Sequence, residues 1–275
     1  MKQTLDFTVK MLLNVEHRTN YFYSEEIGYG VQQIRMRPFL NNQQRAVWWQ
    51  VAINGANEQF NFTDNLGNHV DLYTLSDTRE LEIISKGKVE TFENNGVVGP
   101  HLSIIPLWYY KNSTPLTLAG PKIRTIARNW ETRSTNSIET LHSLSAKIRN
   151  LVRYELGHTN STTTAEQAVN IGFGVCQDHT HIFISAARLL GFPARYVSGH
   201  LFSSEAKSIS ASHAWAEAFV DSIGWIGFDI SNGISPDERY IKIAVGLDYQ
   251  KAAPVRGIRY GDNDERVETH VFVEQ

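Results

Sequence analysis

Three side chains that could relay a proton stand far apart in this chain: its one cysteine, Cys176, then His213 and Asp229. A cysteine that acts as a nucleophile needs a base to take or share its proton, and the base needs a third group to fix its tautomer. Cysteine, histidine and aspartate together would support attack on a carbonyl carbon and acyl transfer through a thioester. Each has a plainer reading when taken alone. A lone cysteine is often a small buried hydrophobe, a histidine can be a satisfied core or surface residue, and an aspartate can simply make a turn.

The chemistry therefore depends on the elements that carry the three groups. From Ile182 onward, Ile182, Phe183, Ala186, Ala187, Leu189 and Leu190 recur at helical spacing, and Gly191 with Pro193 supplies a stop. The stretch IGFGVCQDHTHIFISAARLLG thus predicts a buried helix beginning near Cys176, with Gly172 and Gly174 letting the backbone turn into it. At a helix N-terminus the unpaired N–H groups and the macrodipole favour an anion, which is where a thiolate would be placed.

The segment SHAWAEAFV, Ser212 to Val220, reads as a strand with His213, Trp215, Glu217 and Phe219 on one face and Ala214, Ala216 and Ala218 on the other. Three alanines leave room for another layer to approach, and the cysteine helix is the layer expected there. His213 then faces away from that helix unless it lies at the edge of the strand. Trp225 to Ile230 reads as the paired strand, joined through Asp221-Ser222-Ile223-Gly224. In an antiparallel pair, His213 and Asp229 share a face only if paired positions sum to an even number. That requires an odd-length loop or a bulge near 221–224.

Composition narrows the classes. The chain has 275 residues, 41% hydrophobic and 20% charged, with net charge −3. That is enough for one large or two ordinary domains, and it offers no basic excess for nucleic acid or an acidic membrane. One cysteine excludes an intramolecular disulfide framework and any multi-cysteine metal cluster. The N-terminal sequence lacks a signal-like apolar core and no run approaches the ~18 apolar residues of a membrane span, so a cytoplasmic location is expected, where a thiol stays reduced.

Residues 1–110 read as an antiparallel β-sandwich of many short strands, among them Leu5–Val9, Gln33–Arg37, Val47–Ile53 and Glu80–Ile84. Turn signals lie at Asn41-Asn42, Asn54-Gly55, Asp64 to Asn68 and Asn94-Asn95-Gly96. Asp64 and Asn68 suit a hairpin turn better than a cation loop. Pro106 to Pro121 reads as a connector broken by Pro115, Gly120 and Pro121. Helices are expected with Ile123, Ile126, Ala127 and Trp130 on one face, and with Ile138, Leu141, Leu144, Ile148, Leu151 and Val152 on another after a Ser137 cap. A polar loop, Gly157 to Thr164, follows. Ala194 to Gly199 and Val267 to Val273 read as strands. The expected division is 1–110 and 111–275.

In order along the chain, GVCQDHTH, ASHAWAEAFV and GWIGFDISN resemble the three core motifs of the transglutaminase-like superfamily. Phe192 to Gly199 is similar to the family's strand after the cysteine helix, Ala253-Pro254-Val255-Arg256-Gly257 to its C-terminal signature, and residues 1 to about 90 to the β-domain that precedes such cores in bacterial proteins. The resemblance implies an α+β fold, a papain-like core of helices on an antiparallel sheet. It implies Cys176 as nucleophile, His213 as general base and acid, and Asp229 as the group orienting the imidazole. Where the family has Pro then Thr after the aspartate, this chain has Ile230-Ser231, while Asn232 is retained.

The implied reaction is thiol-dependent acyl transfer on a peptide or protein amide, hydrolytic as in a bacterial cysteine protease or amidase. Transfer to an amine, as in crosslinking, and a catalytically retired binding module are the alternatives. The backbone N–H of Cys176 would be the first oxyanion donor and Tyr154 a candidate second, with Gln177 and Trp215 as further candidates around the substrate. His179 and His181, two apart on a helix, lie on different sides and lack a second ligand pair, so no metal is expected, and no cofactor.

Overall fold

The computed structural model describes residues 9–128, 138–203, 212–261 and 264–275. Leu5 to Thr8, Trp130 and Ser137 lie outside the described residues.

The N-terminal region is built from β1 (Val9–Ile27), β2 (Gly30–Ile34), β3 (Gln44–Asn54), β4 (Asn57–Thr63), β5 (His69–Leu75) and β6 (Thr78–Phe92). A short strand, β7 (Val97–Gly99), and two 3₁₀ turns follow, then α1 (Pro121–Ala127), α2 (Ile138–Leu151), β8 (Arg153–Tyr154), α3 (Ala165–Ile171), β9 (Phe173–Gly174) and α4 (Cys176–Leu189). The chain ends with β10 (Ala194–Leu201), β11 (Ser212–Val220), β12 (Gly224–Phe228), β13 (Tyr240–Gly246), α5 (Tyr249–Ala252), β14 (Val255–Arg259) and β15 (Glu265–Glu274).

Two four-stranded antiparallel sheets, ordered β15-β1-β6-β3 and β14-β2-β5-β4, enclose a common core that includes Tyr23, Ile34, Leu75 and Ile83. The strands are not all short: β1 runs for 19 residues and β6 for 15. The strand expected over Gln33–Arg37 is displaced, because β2 ends at Ile34 and the Arg35 N–H turns aside to Pro254 O at 2.7 Å. Pro121 does not break structure as expected. It occupies the first turn of α1, where a missing N–H costs nothing. Helix α3 also replaces what the sequence suggested was loop approach, and Thr164 and Gln167 cap it reciprocally.

The third sheet, β13-β10-β11-β12-β7, is antiparallel throughout and carries α4 on one face. Ala214, Ala216 and Ala218 of β11 share a buried cluster with Ile182, Phe183, Ala186 and Ala187 of α4. Small side chains on the sheet let the helix lie close, and burial of a side chain such as Phe183 is worth about 1.5–3 kcal/mol. The opposite face holds Val197, Trp215, Trp225 and Val245, closed by Leu66 and Tyr110.

Sheet membership does not follow chain order. β7 joins β12 in the α4-bearing sheet, while β14 and β15 return to pair with β2 and β1. The outer edge of β13 is satisfied by side-chain amides. Asn68 both donates to Val245 O (2.8 Å) and accepts from its N–H (2.7 Å), and Gln44 does the same at Lys242 (2.7 and 2.8 Å). Free edge groups that would otherwise need water or another strand are thereby paired. Asp64 to Asn68 forms the expected turn: Asp64 Oδ1 accepts from the N–H groups of Leu66 and Asn68, both at 2.9 Å.

Candidate active site

The local sequence places Cys176 at the first residue of α4. Gly172 ends α3 with φ +79°, a left-handed conformation that suits glycine, and the chain then passes through β9 into the helix. Asp178, buried in the first turn, accepts from Val175 N–H (2.8 Å) and Thr159 Oγ1 (2.6 Å). It is a cap that sets the direction of the helix start. Gly174 is required beside it, because a Cβ there would stand 2.8 Å from Asp178 Cβ. The half-buried thiol therefore sits among first-turn N–H groups that have no intrahelical partner.

The β11–β12 register meets the parity condition. Ala216 pairs with Phe228, Ala218 with Ile226 and Val220 with Gly224, so the connection is the three residues 221–223 and paired positions sum to an even number. Asp229 follows β12 directly, diagonal to His213. The alanine face does meet the cysteine helix, and His213 escapes the consequence because it is the second residue of β11, opposite Gly199 of β10 at the end of the strand. His213 and Cys176 line one cleft, close enough for the sulfur to favour the charged form of the ring.

On its other side the ring meets Asp229, with Nε2 2.6 Å from Oδ2. Asp229 is fully buried and saturated with donors: Tyr240 Oη (2.7 Å) and Asn232 Nδ2 (2.7 Å) on the same oxygen, and Asn232 N–H (3.1 Å) on Oδ1. Burial alone would push its carboxyl up; the hydrogen bond and charge of His213, with the bonds from Tyr240 and Asn232, hold it below its usual value. Burial likewise pulls the His213 ring down. The hydrogen bonds and negative charge of Asp229 and Cys176 outweigh that and raise it to about 10. The ring keeps its proton through neutral pH and presents an imidazolium to the sulfur.

Tyr240 is the member that sequence reasoning missed. It comes from β13, eleven residues beyond Asp229, in a segment with no recognised motif; only its position on a strand next to β10 brings it under His213, 6.0 Å between ring centroids. Burial and the neighbouring Asp229 charge hold its phenol protonated, so it remains a donor. Ser231, at the position where the sequence departs from the family pattern, has a partner of its own. Its Oγ lies 2.8 Å from His179 Nδ1, whose Nε2 lies 2.9 Å from Val152 O. His179 thus ties the loop after Asp229 to α4, and His181 accepts from Tyr249 N–H at 3.1 Å.

The other candidates divide. Gln177 lines the cleft beside Cys176. Tyr154 is half exposed, close enough to Cys176 and Asp229 that burial together with their charges raises its phenol, but it is not among the residues lining the cleft. Trp215 is buried under the site, its ring stacked 6.5 Å from that of His213 and edge-on to Tyr240, so it supports the histidine instead of facing the cleft. The cleft encloses about 340 Å³, and its far wall comes from His17, Thr19 and Tyr21 of β1 with Val267 and Thr269 of β15. The β-sandwich is therefore part of the cleft.

Known proteins share this organisation. Residues 124–230 match the transglutaminase-like superfamily core, and residues 13–90 match the bacterial transglutaminase-like N-terminal region. The uncharacterized protein ML0607 of Mycobacterium leprae is 27% identical over 270 residues, spanning 90% of this chain and 93% of the relative. The uncharacterized protein Rv2569c of Mycobacterium tuberculosis is 27% identical over 281 residues, spanning 92% and 89%. Among solved structures, that of a candidate cysteine protease from Cytophaga hutchinsonii superposes with a TM-score of 0.76 at 19% identity, covering 96% of this chain and 90% of that one.

Proposed function

Because the chain belongs to the transglutaminase-like superfamily, we propose that it is a thiol-dependent acyl-transfer enzyme that hydrolyses a peptide or protein amide, with Cys176 as nucleophile, His213 as general base and acid, and Asp229 as the orienting carboxylate. The observation that carries this reading is the continuous contact from sulfur to imidazole to buried carboxylate, in which Asp229 fixes the ring through Nε2 and leaves the other nitrogen for the thiol.

In the first half-reaction the Cys176 thiolate, its proton held by His213, attacks the amide carbon, and the carbonyl π electrons move onto oxygen. The backbone N–H of Cys176 is the donor assigned to that oxyanion. As the oxyanion collapses, the carbon–nitrogen bond breaks, and the leaving amine takes the proton held by His213. A thioester remains. In the second half, His213 takes a proton from water, the hydroxide adds to the thioester carbon, and the sulfur leaves. Asp229 stabilises the imidazolium each time it forms and keeps its own charge, since four donor contacts stand around it. A single thiol of this kind suits the reducing cytoplasm. Among the described residues no helix is long and apolar enough to cross a membrane.

A library of peptide amides, read by mass with and without an added primary amine, tests the proposal. Release of amine or ammonia with gain of water, lost in Cys176→Ala, is the expected result. Conjugates formed only with the added amine would replace hydrolysis by amine transfer. Turnover that persists in Cys176→Ala would overturn the assignment altogether.

A further inference from the structure

Two histidines outside the triad face the same cleft. His17, from β1, and His200, from β10, are both buried, with ring centroids 5.4 Å apart and planes at 77°. They reach the cleft from opposite walls. His17 is paired in register with Val271 of β15, while His200 is paired with Ser212, next to His213. Residues Ser198, His200 and Ser212 alternate onto the face of the sheet that α4 covers farther along. At this end the strands of the sandwich stand across from them instead of a helix.

The hydrogen bonds on the two walls are unequal. His17 Nε2 is 3.2 Å from Thr19 Oγ1, which is itself 3.3 Å from Thr269 Oγ1, a polar row along β1 and β15. His200 Nδ1 is buried with no protein partner. A buried ring nitrogen left without a partner is costly, and native structures rarely tolerate one without a reason. The described residues lining the cleft include no Asp, Glu, Lys or Arg. Burial keeps both rings neutral, His17 falling to about 4 and His200 well below its ordinary value, the latter also disfavoured by the charge His17 would carry. A neutral imidazole offers one donor and one acceptor. An ammonium or carboxylate held between these two neutral rings would lose water and gain no charge partner from them. A carboxamide or hydroxyl, which both donates and accepts, would find both.

We propose that His17 and His200, with the Thr19–Thr269 hydroxyl row, form a subsite that selects an uncharged, hydrogen-bonding side chain (carboxamide or hydroxyl) on the acyl side of the scissile amide. This inference rests on Cys176 being the nucleophile, and it assigns specificity to residues contributed by the sandwich as well as the core.

The test uses peptidyl chloromethyl ketones that differ only in the residue next to the reactive group or one further out, carrying Gln, Ser, Leu, Lys or Glu, with Cys176 labelling followed by intact mass on the full chain. Iodoacetamide, too small to need the subsite, is the reference. The expected result is labelling by the Gln or Ser probes at least tenfold faster than by Lys or Glu probes, at either position. The preference for Gln over Leu should fall toward unity in His200→Leu and in Thr269→Val while iodoacetamide labelling is unchanged. Thr269 is exposed, so its variant keeps the test decisive should the other not fold. Equal rates for all probes, faster labelling by a charged one, or a preference unaltered by Thr269→Val would overturn the subsite. Failure of iodoacetamide itself to label Cys176 would instead reject the nucleophile assignment beneath it.

Discussion

Replacing Asp229 by Asn should move the proton on His213 more than any other single change, and the structure sets both direction and size. Three donors converge on Asp229 Oδ2, and one backbone N–H meets Oδ1. An amide can keep its oxygen where Oδ2 lies, retaining His213, Tyr240 and Asn232 Nδ2, and lose only the contact to Asn232 N–H. The variant therefore removes charge while leaving most of the geometry. Burial opposes the charged ring and only Cys176 still favours it, so without the carboxylate the His213 imidazolium should lose its proton well below the value near 10 that it has in the wild type. The wild-type rise from 6.5 to about 10, at about 1.4 kcal/mol per tenfold change in proton affinity, corresponds to an upper bound of about 5 kcal/mol. Because the folded value is raised, this stability is fully present below pH 6.5 and disappears as pH rises toward 10. The wild-type chain should thus lose stability relative to Asp229→Asn between pH 6.5 and 10. Denaturant unfolding of both proteins at intervals from pH 5 to 10, with imidazole titration followed by NMR, measures it. Parallel stability curves across the whole range, or a His213 ring that titrates alike in both proteins, would refute the electrostatic reasoning.

Other perturbations have equally definite outcomes. Gly174→Ala forces Asp178 away from the helix start, since the new Cβ would lie within 2.9 Å of its Oδ2; thermal unfolding should show a loss of about 1–3 kcal/mol, and Cys176 labelling should slow as the cap loosens. Glu217 is fully buried between Arg195 (Nε to Oε2, 2.7 Å) and Lys242. Glu217→Gln leaves two buried cations without a counter-charge and should cost about 3–5 kcal/mol in chemical denaturation, part of it recovered by adding Lys242→Met. Tyr240→Phe removes a charge-assisted hydrogen bond to Asp229 worth about 1.5–3 kcal/mol and should lower turnover while leaving substrate binding intact, read as a fall in kcat at constant KM.

Local pattern carried much of this in the sequence. The helix over Cys176 to Leu189 follows from its apolar spacing and glycine stop, and the even-sum condition on β11 and β12 is a property of strand geometry that the three-residue connection at 221–223 fulfils. The alanines of β11 likewise announced a helix lying close. What escaped was nonlocal. The start of α3 carried a readable cap, Thr164 with Gln167, but its seven residues are too few for a strong period. Tyr240 and the pairing of β15 with β1 depend on contacts across the whole chain, for which a run of residues holds no signal. The far wall of the cleft, and with it His17, was hidden for the same reason: β1 belongs to the sandwich in sequence and to the cleft only in space.

We propose that the imidazolium of His213, held by Asp229, makes Cys176 a reactive nucleophile. The most direct measurement is the rate of Cys176 alkylation by iodoacetamide in the folded protein from pH 5 to 9, wild type against His213→Ala. Fast alkylation at pH 6 in the wild type, and at least tenfold slower alkylation at that pH without the histidine, is the predicted result. A Cys176 that stays unmodified in the folded chain, or that reacts identically in both proteins, would contradict it.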